Sequence, residues 1–133
     1  MENSVPLRVL KLRIRNNIID YLEVASSAAE QRDYERRVPM AQVPNEMINW
    51  WEDCVPAKDF DWYSEPEFSP EEQAAIKRFD AVWDSVAEDT PETMPSSIDA
   101  LIGTAVWQRL IDGAAEALSV FRVRGRISET ASL

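Results

Sequence analysis

Asp59-Phe60-Asp61, followed by Glu65, brings three carboxylates close together in the chain. Oxygen-rich clusters of this kind hold Mg²⁺ or Ca²⁺. The glycine and the distal glutamate of a calcium-binding helix–loop–helix are missing here, so the spacing is a weak signal. With 24 acidic residues, carboxylate pairs suited to acid–base catalysis also arise by chance. The chain has no histidine, which removes the commonest general base, metal ligand and pH switch. Cys54 is the single cysteine. Without histidine partners it builds neither a zinc site nor a Cys/His nucleophile, and alone it forms no internal disulfide. Glu52 and Asp53 beside it raise its pKa and oppose a reactive thiolate. Neither phosphate-binding glycine motif occurs, and the chain has only 3 glycines. We therefore expect no enzyme, no catalytic residue, no metal and no cofactor. A carboxylate-dependent enzyme is the least favoured class, and it needs a concave site with converging acids.

The charge is more informative. The 133 residues carry a formal net charge of −10. Residues 46–99 hold 15 acidic and 3 basic side chains, net −12, whereas the two flanking stretches are each net +1. This balance argues against a phosphate-contacting, nucleic-acid-binding face. Self-repulsion in such a segment opposes folding. It reads either as a solvated acidic face or as a docking surface that steers a basic partner. Five tryptophans stand at positions 50, 51, 62, 83 and 107. Trp83 and Trp107 fall on apolar helical stripes and are expected in the core. Trp50 and Trp51 point about 100° apart on a helix. Trp51 is in phase with Met47 and is expected to be buried, leaving Trp50 for a rim. Trp62 and Tyr63 stand among Asp59, Asp61 and Glu65, which suits interface anchors as well as it suits staples of a loop. The candidate partner-binding residues are Trp50, Glu52, Asp53, Asp59, Asp61, Trp62, Tyr63, Glu65 and Glu67.

The elements that must position them read as helices. Leu7, Leu10, Ile14, Ile18, Tyr21, Ala25 and Ala28 recur every three or four residues, which predicts one long helix from about Ser4, its N-cap, to Arg37. Residues 10–15 alternate as a strand would, but the helical spacing runs on for several turns. A second helix spans about Pro44 to Asp53, and Pro56 stops it. Residues 55–69 form an ordered loop pinned by aromatic side chains. Ser69-Pro70-Glu71-Glu72 is a capping box, and Ile76, Phe79, Trp83 and Val86 follow on one stripe up to about Glu88. Ser96 or Ser97 caps a short helix ended by Gly103. Thr104 caps the last helix, where Gly113 allows close helix contact and Gly125 is the stop. Arg122, Arg124 and Arg126 complement the end of that helix, and they are also placed to pair with the acidic middle. The expected fold is all-α: one compact domain of four to five helices over residues 1–127, with a frayed tail at 128–133.

Val43–Asp53, Phe68–Glu72, Trp107–Leu110 and the run from Ala114 to Gly125 resemble small acidic immunity proteins of bacterial contact-dependent growth inhibition and polymorphic toxin systems. The resemblance spans about residues 40–126 and rests on structural motifs. It implies a cytoplasmic protein that binds one cognate, basic toxin domain and blocks its active site or substrate entry. A monomer rather than a dimer is expected. The N-terminus has no basic, then apolar, leader pattern, and no apolar run reaches membrane-spanning length, so no membrane partner is expected. The alternative is an adaptor or secretion chaperone that holds a partner segment in a helical groove.

Overall fold

Ser69 sets the best-defined helix start. Its hydroxyl accepts from Glu72 N at 3.1 Å, and Glu72 Oε1 accepts from Ser69 N at 2.9 Å. Pro70 fills the first position, where a missing N–H costs nothing. The structure, a computed structural model, describes residues 5–133. Its helices are α1 (Leu7–Ala25), α2 (Ala28–Arg37), α3 (Val43–Cys54), α4 (Pro70–Asp89) and α5 (Ala105–Phe121). Two 3₁₀ turns, Phe60–Trp62 and Ile98–Ala100, interrupt the connections, and no strand occurs among the described residues. The chain is an all-α domain of five helices, and residues 10–15, for which a strand was the alternative, are helical. Ser4, expected as the first N-cap, lies outside the described residues, and α1 is preceded by Pro6.

The expected helix from about Ser4 to Arg37 is two helices. Ser26 ends α1, and the Ser27 hydroxyl caps α2 by accepting from Glu30 N at 3.1 Å. Gln31, fully buried, secures the break. Its side-chain N–H groups donate to the terminal carbonyls of Val24 and Ala25, and its carbonyl accepts from Trp107 Nε1 at 2.8 Å. One amide thus answers the open end of α1 and the buried indole of α5.

α4 and α5 form the broadest helix contact, and α1 packs on α5 and α3. Gly113 permits the α4–α5 approach: a Cβ there would sit 2.9 Å from Val82 Cγ1. The core is aromatic. Phe79 meets Trp51 edge-on at 4.7 Å, and Tyr63, Phe68 and Phe121 continue the series. Ile14, Ile18, Tyr21 and Ala25 line it as the spacing predicts, but Leu7 and Leu10 are 59% and 40% exposed, because Lys11, Leu12 and Arg15 form the buried face of that end instead. Trp83, expected in the core, is only half-buried, with its Nε1 donating to Ile48 O at 2.9 Å. The tail at 128–133, expected to fray, is tied to α1 through Glu129 and Ala131, just after Ile127. Asn16 exchanges two hydrogen bonds with Ile127, and Arg13 pairs with Glu129 at 2.9 Å.

A buried ionic cluster joins the ends of the chain to its middle. Arg15 and Arg124 both bind the Glu72 carboxylate. Arg15 also donates to Glu67 O and Gly125 O, and Arg124 to Pro66 O and Glu67 O. Burial by itself would push the Glu72 pKa up. Hydrogen bonds from Arg124, Arg15 and the Ser69 N–H together outweigh it and hold the carboxyl below its ordinary 4.5. A carboxyl whose folded pKa is depressed stabilises the fold fully above the unfolded value, and that contribution is lost as pH falls through the folded value. Glu72→Gln is expected to cost about 3 kcal/mol or more at pH 7, by leaving two arginines uncompensated. The gap from wild type should close as pH drops below 4.5. Urea midpoints measured from pH 7 downward check both.

Candidate functional site

Of the nine candidate residues, the fold exposes five carboxylates: Glu52 and Asp53 at the end of α3, Asp59 and Asp61 around the first 3₁₀ turn, and Glu65 beyond it. None makes an ion pair among the described residues. Glu65 is near enough to Arg124 to act on its charge, after Glu72. Asp59 also serves the local backbone, since its Oδ1 accepts from Asp61 N at 3.0 Å and caps the turn. No group of three or more acidic or cysteine side chains among the described residues is arranged around a metal position. Nor is any described helix long and apolar enough to cross a membrane.

Two candidates are corrected. Tyr63 is fully buried, so it is no surface anchor. Its hydroxyl donates to Ala57 O and accepts from Ala57 N, closing the loop on itself, and its ring meets Trp62 and Phe68 edge-on. Burial, chiefly, pushes its pKa up to about 12. Glu67 is only 6% exposed and lies 3.8 Å from Lys11 Nζ. It faces the chain's own cation and is withdrawn from any partner. The basic ends therefore neutralise part of the acidic middle: Glu67 and Glu72 here, Asp89 through Arg109, and Asp99 through Arg32. Of the C-terminal arginines, Arg126 instead pairs with Asp20 and Glu23 on α1. Cys54 is buried, and burial first, then Asp53 and Asp20, raises its pKa to about 12, so it stays a thiol.

The five indoles divide by their N–H. Trp51 donates to Asp80, Trp83 to Ile48 O and Trp107 to Gln31. Trp50 and Trp62 are half-buried, and their N–H groups find no acceptor among the described residues. Trp62 is partly engaged, since Lys11 Nζ stands 5.2 Å from its ring centroid. Trp50 rests edge-on against Tyr21 at 5.2 Å and lies 6.4 Å from Tyr34. It lines a cleft of about 480 Å³ between α2 and α3, to which Val24 at the end of α1 also contributes. On the α3 side Glu46, Asn49, Trp50 and Asp53 succeed one another at steps of 3, 1 and 3, one helical stripe. Tyr34 and Arg37 form the opposite wall.

Of the candidates named from the sequence, Trp50 and Asp53 line this cleft; Tyr34, Asn49 and Glu46 line it too and were not among them. The shared phase of Glu46, Asn49, Trp50 and Asp53 was the signal that could have found the α3 wall. Tyr34 had no such signal, because it arrives from a helix that the spacing merged with α1. No family model, curated protein or solved structure matches this chain.

The indole division is directly measurable. In amide-exchange NMR, the Trp50 and Trp62 indole protons should exchange fastest and those of Trp51, Trp83 and Trp107 slowest. In urea denaturation Trp51→Ala should cost about 3–5 kcal/mol and Trp50→Ala less than half of that, since only the first empties a filled core site.

Proposed function

We propose that this chain is a non-enzymatic inhibitor of the immunity type, binding a basic toxin domain through its acidic, aromatic-containing surface. The supporting observation is the set of five exposed, unpaired carboxylates, Glu52, Asp53, Asp59, Asp61 and Glu65, next to Trp50 and Trp62, whose indole N–H groups lack acceptors. Exposed charges of one sign steer a positively charged protein and set the association rate. Half-buried indoles with an open N–H are the side chains that anchor such encounters. In this reading Tyr63 and Glu67 act from beneath: they hold the loop that displays Asp59, Asp61 and Glu65. The toxin domain's substrate approach is blocked by occupancy, in the cytoplasm, by a monomer. A nucleic acid is not the partner, because its phosphates would meet the same negative field.

A second reading, an adaptor that holds a partner segment, draws on the groove of about 450 Å³ that runs over Gly113 between α4 and α5. It is floored by Ala81, Val82 and Gly113 and rimmed by Arg109, Asp112 and Glu116. Sedimentation separates the readings, since the adaptor is expected to dimerise and the inhibitor is not.

The test is calorimetric and kinetic titration against the protein encoded by the neighbouring gene. Reversing Asp59, Asp61 and Glu65 to lysine should slow association about tenfold or more at low salt and leave dissociation nearly unchanged. Trp50→Ala should act on dissociation, at about 2 kcal/mol or more. Binding indifferent to both sets of changes overturns the proposed surface.

A further inference from the structure

Resting on that reading, we infer that the α2–α3 cleft is a seat for an arginine side chain of the partner protein. Three features converge there. The first is an aromatic wall: Trp50, supported edge-on by Tyr21, with Tyr34 beside it. A guanidinium lies flat on an indole, and desolvation strengthens the attraction. The second is negative charge from two points of one helix. Glu46 and Asp53, seven residues apart, bracket Trp50 on α3, about 10 Å along the axis. The Glu46 carboxylate accepts from the Tyr34 hydroxyl, which holds that wall in place, and Asp53 makes no ion pair among the described residues. The third is hydrogen-bonding capacity left open: the Asn49 side chain lines the cleft, and the Trp50 N–H awaits an acceptor such as a partner backbone carbonyl.

The chain's own nearby cation does not fill this role. Arg37 lines the far wall, but its Nε donates to Asp33 on its own helix at 2.7 Å. The seat favours arginine over lysine because a planar fork covers the ring and still directs N–H groups at carboxylates, whereas an ammonium is a compact, strongly hydrated point. At about 480 Å³ the cleft exceeds one side chain, so residues flanking the arginine enter with it.

The probe is N-acetyl-arginine N-methylamide, titrated into the full chain while the five indole N–H resonances are followed by NMR. The Trp50 resonance should move, and the Trp51, Trp83 and Trp107 resonances should stay, which also reports an intact fold. The uncharged citrulline analogue should bind about tenfold more weakly, and Asp53→Asn should weaken the arginine probe about threefold. Equal response to arginine and citrulline, movement at Trp62 in place of Trp50, or indifference to Asp53→Asn overturns the assignment. Self-association abolished by Asp53→Asn would give the seat to a second copy and overturn the choice of occupant. If Trp50 is silent while the Asp59, Asp61 and Glu65 reversals still slow a basic partner, the seat fails and the acidic-surface reading stands. The opposite pair of results fails that reading and keeps the seat.

Discussion

Glu72 is the group on which the arrangement turns. Its carboxylate completes the cap of α4, binds Arg15 from α1 and binds Arg124 from beyond α5. A buried charge is costly unless paired and hydrogen-bonded, so each of the three elements must be in place for the other two to be tolerated. The carbonyls of Glu67 and Gly125 take up further guanidinium donors, and within the cluster Arg15 Nε has no partner among the described residues. Such a cluster is weak evidence for stability, because an apolar replacement of the same shape often does as well. Its geometry does impose register. It fixes where the segment 65–67 leaves the core, and so where Glu65 and the preceding acidic turn emerge.

The same pairing separates structural from available side chains. Tyr63, Trp51 and Trp107 commit every polar side-chain atom to the fold. Lys11 serves both Glu67 and the Trp62 ring, and a serine hydroxyl besides. What remains open near the proposed surface is the acids on the α3 end and the loop after it, together with Trp50 and the Trp62 N–H. The negative field of the middle third is thus smaller than the sequence count implies, since its innermost members are answered by the chain's own cations. Glu52, Asp53, Asp59, Asp61 and Glu65 have no such partner among the described residues, whereas the exposed Asp89 and Asp99 pair with Arg109 and Arg32.

Local signals were legible in the sequence and distant ones were not. The α4 capping box, the Thr104 cap, the stop at Pro56 and the tight approach at Gly113 all depend on residues a few positions apart or on a single missing side chain. The break at Ser26-Ser27 had its own signal, Ser27 followed by Glu30, but the alanines on either side preserve the helical spacing and hide it. Leu7 and Leu10 join the apolar stripe by phase, yet no opposing element among the described residues covers them. Tyr63 takes the loop-staple alternative through Ala57 and Phe68 close by in the chain, whereas Glu67 meets Lys11 across 56 positions, which spacing cannot foresee. Trp50 was picked out because it is out of phase with the buried Trp51 and Asp53 because it is acidic, whereas Tyr34 comes to the same cleft from a helix that the spacing merged with α1.

The seating of α1 on α5 has a consequence for the order of assembly. α4 and α5 are consecutive and their contact closes a short loop, whereas Arg15 reaches Gly125 across 110 residues. Loop-closure entropy makes the hairpin the earlier event and the docking of α1 the later one. Perturbing the α4–α5 seam should then slow folding, and perturbing the α1 dock should chiefly hasten unfolding, which stopped-flow chevrons separate. How long the native form persists is accordingly governed by the grip of its first helix.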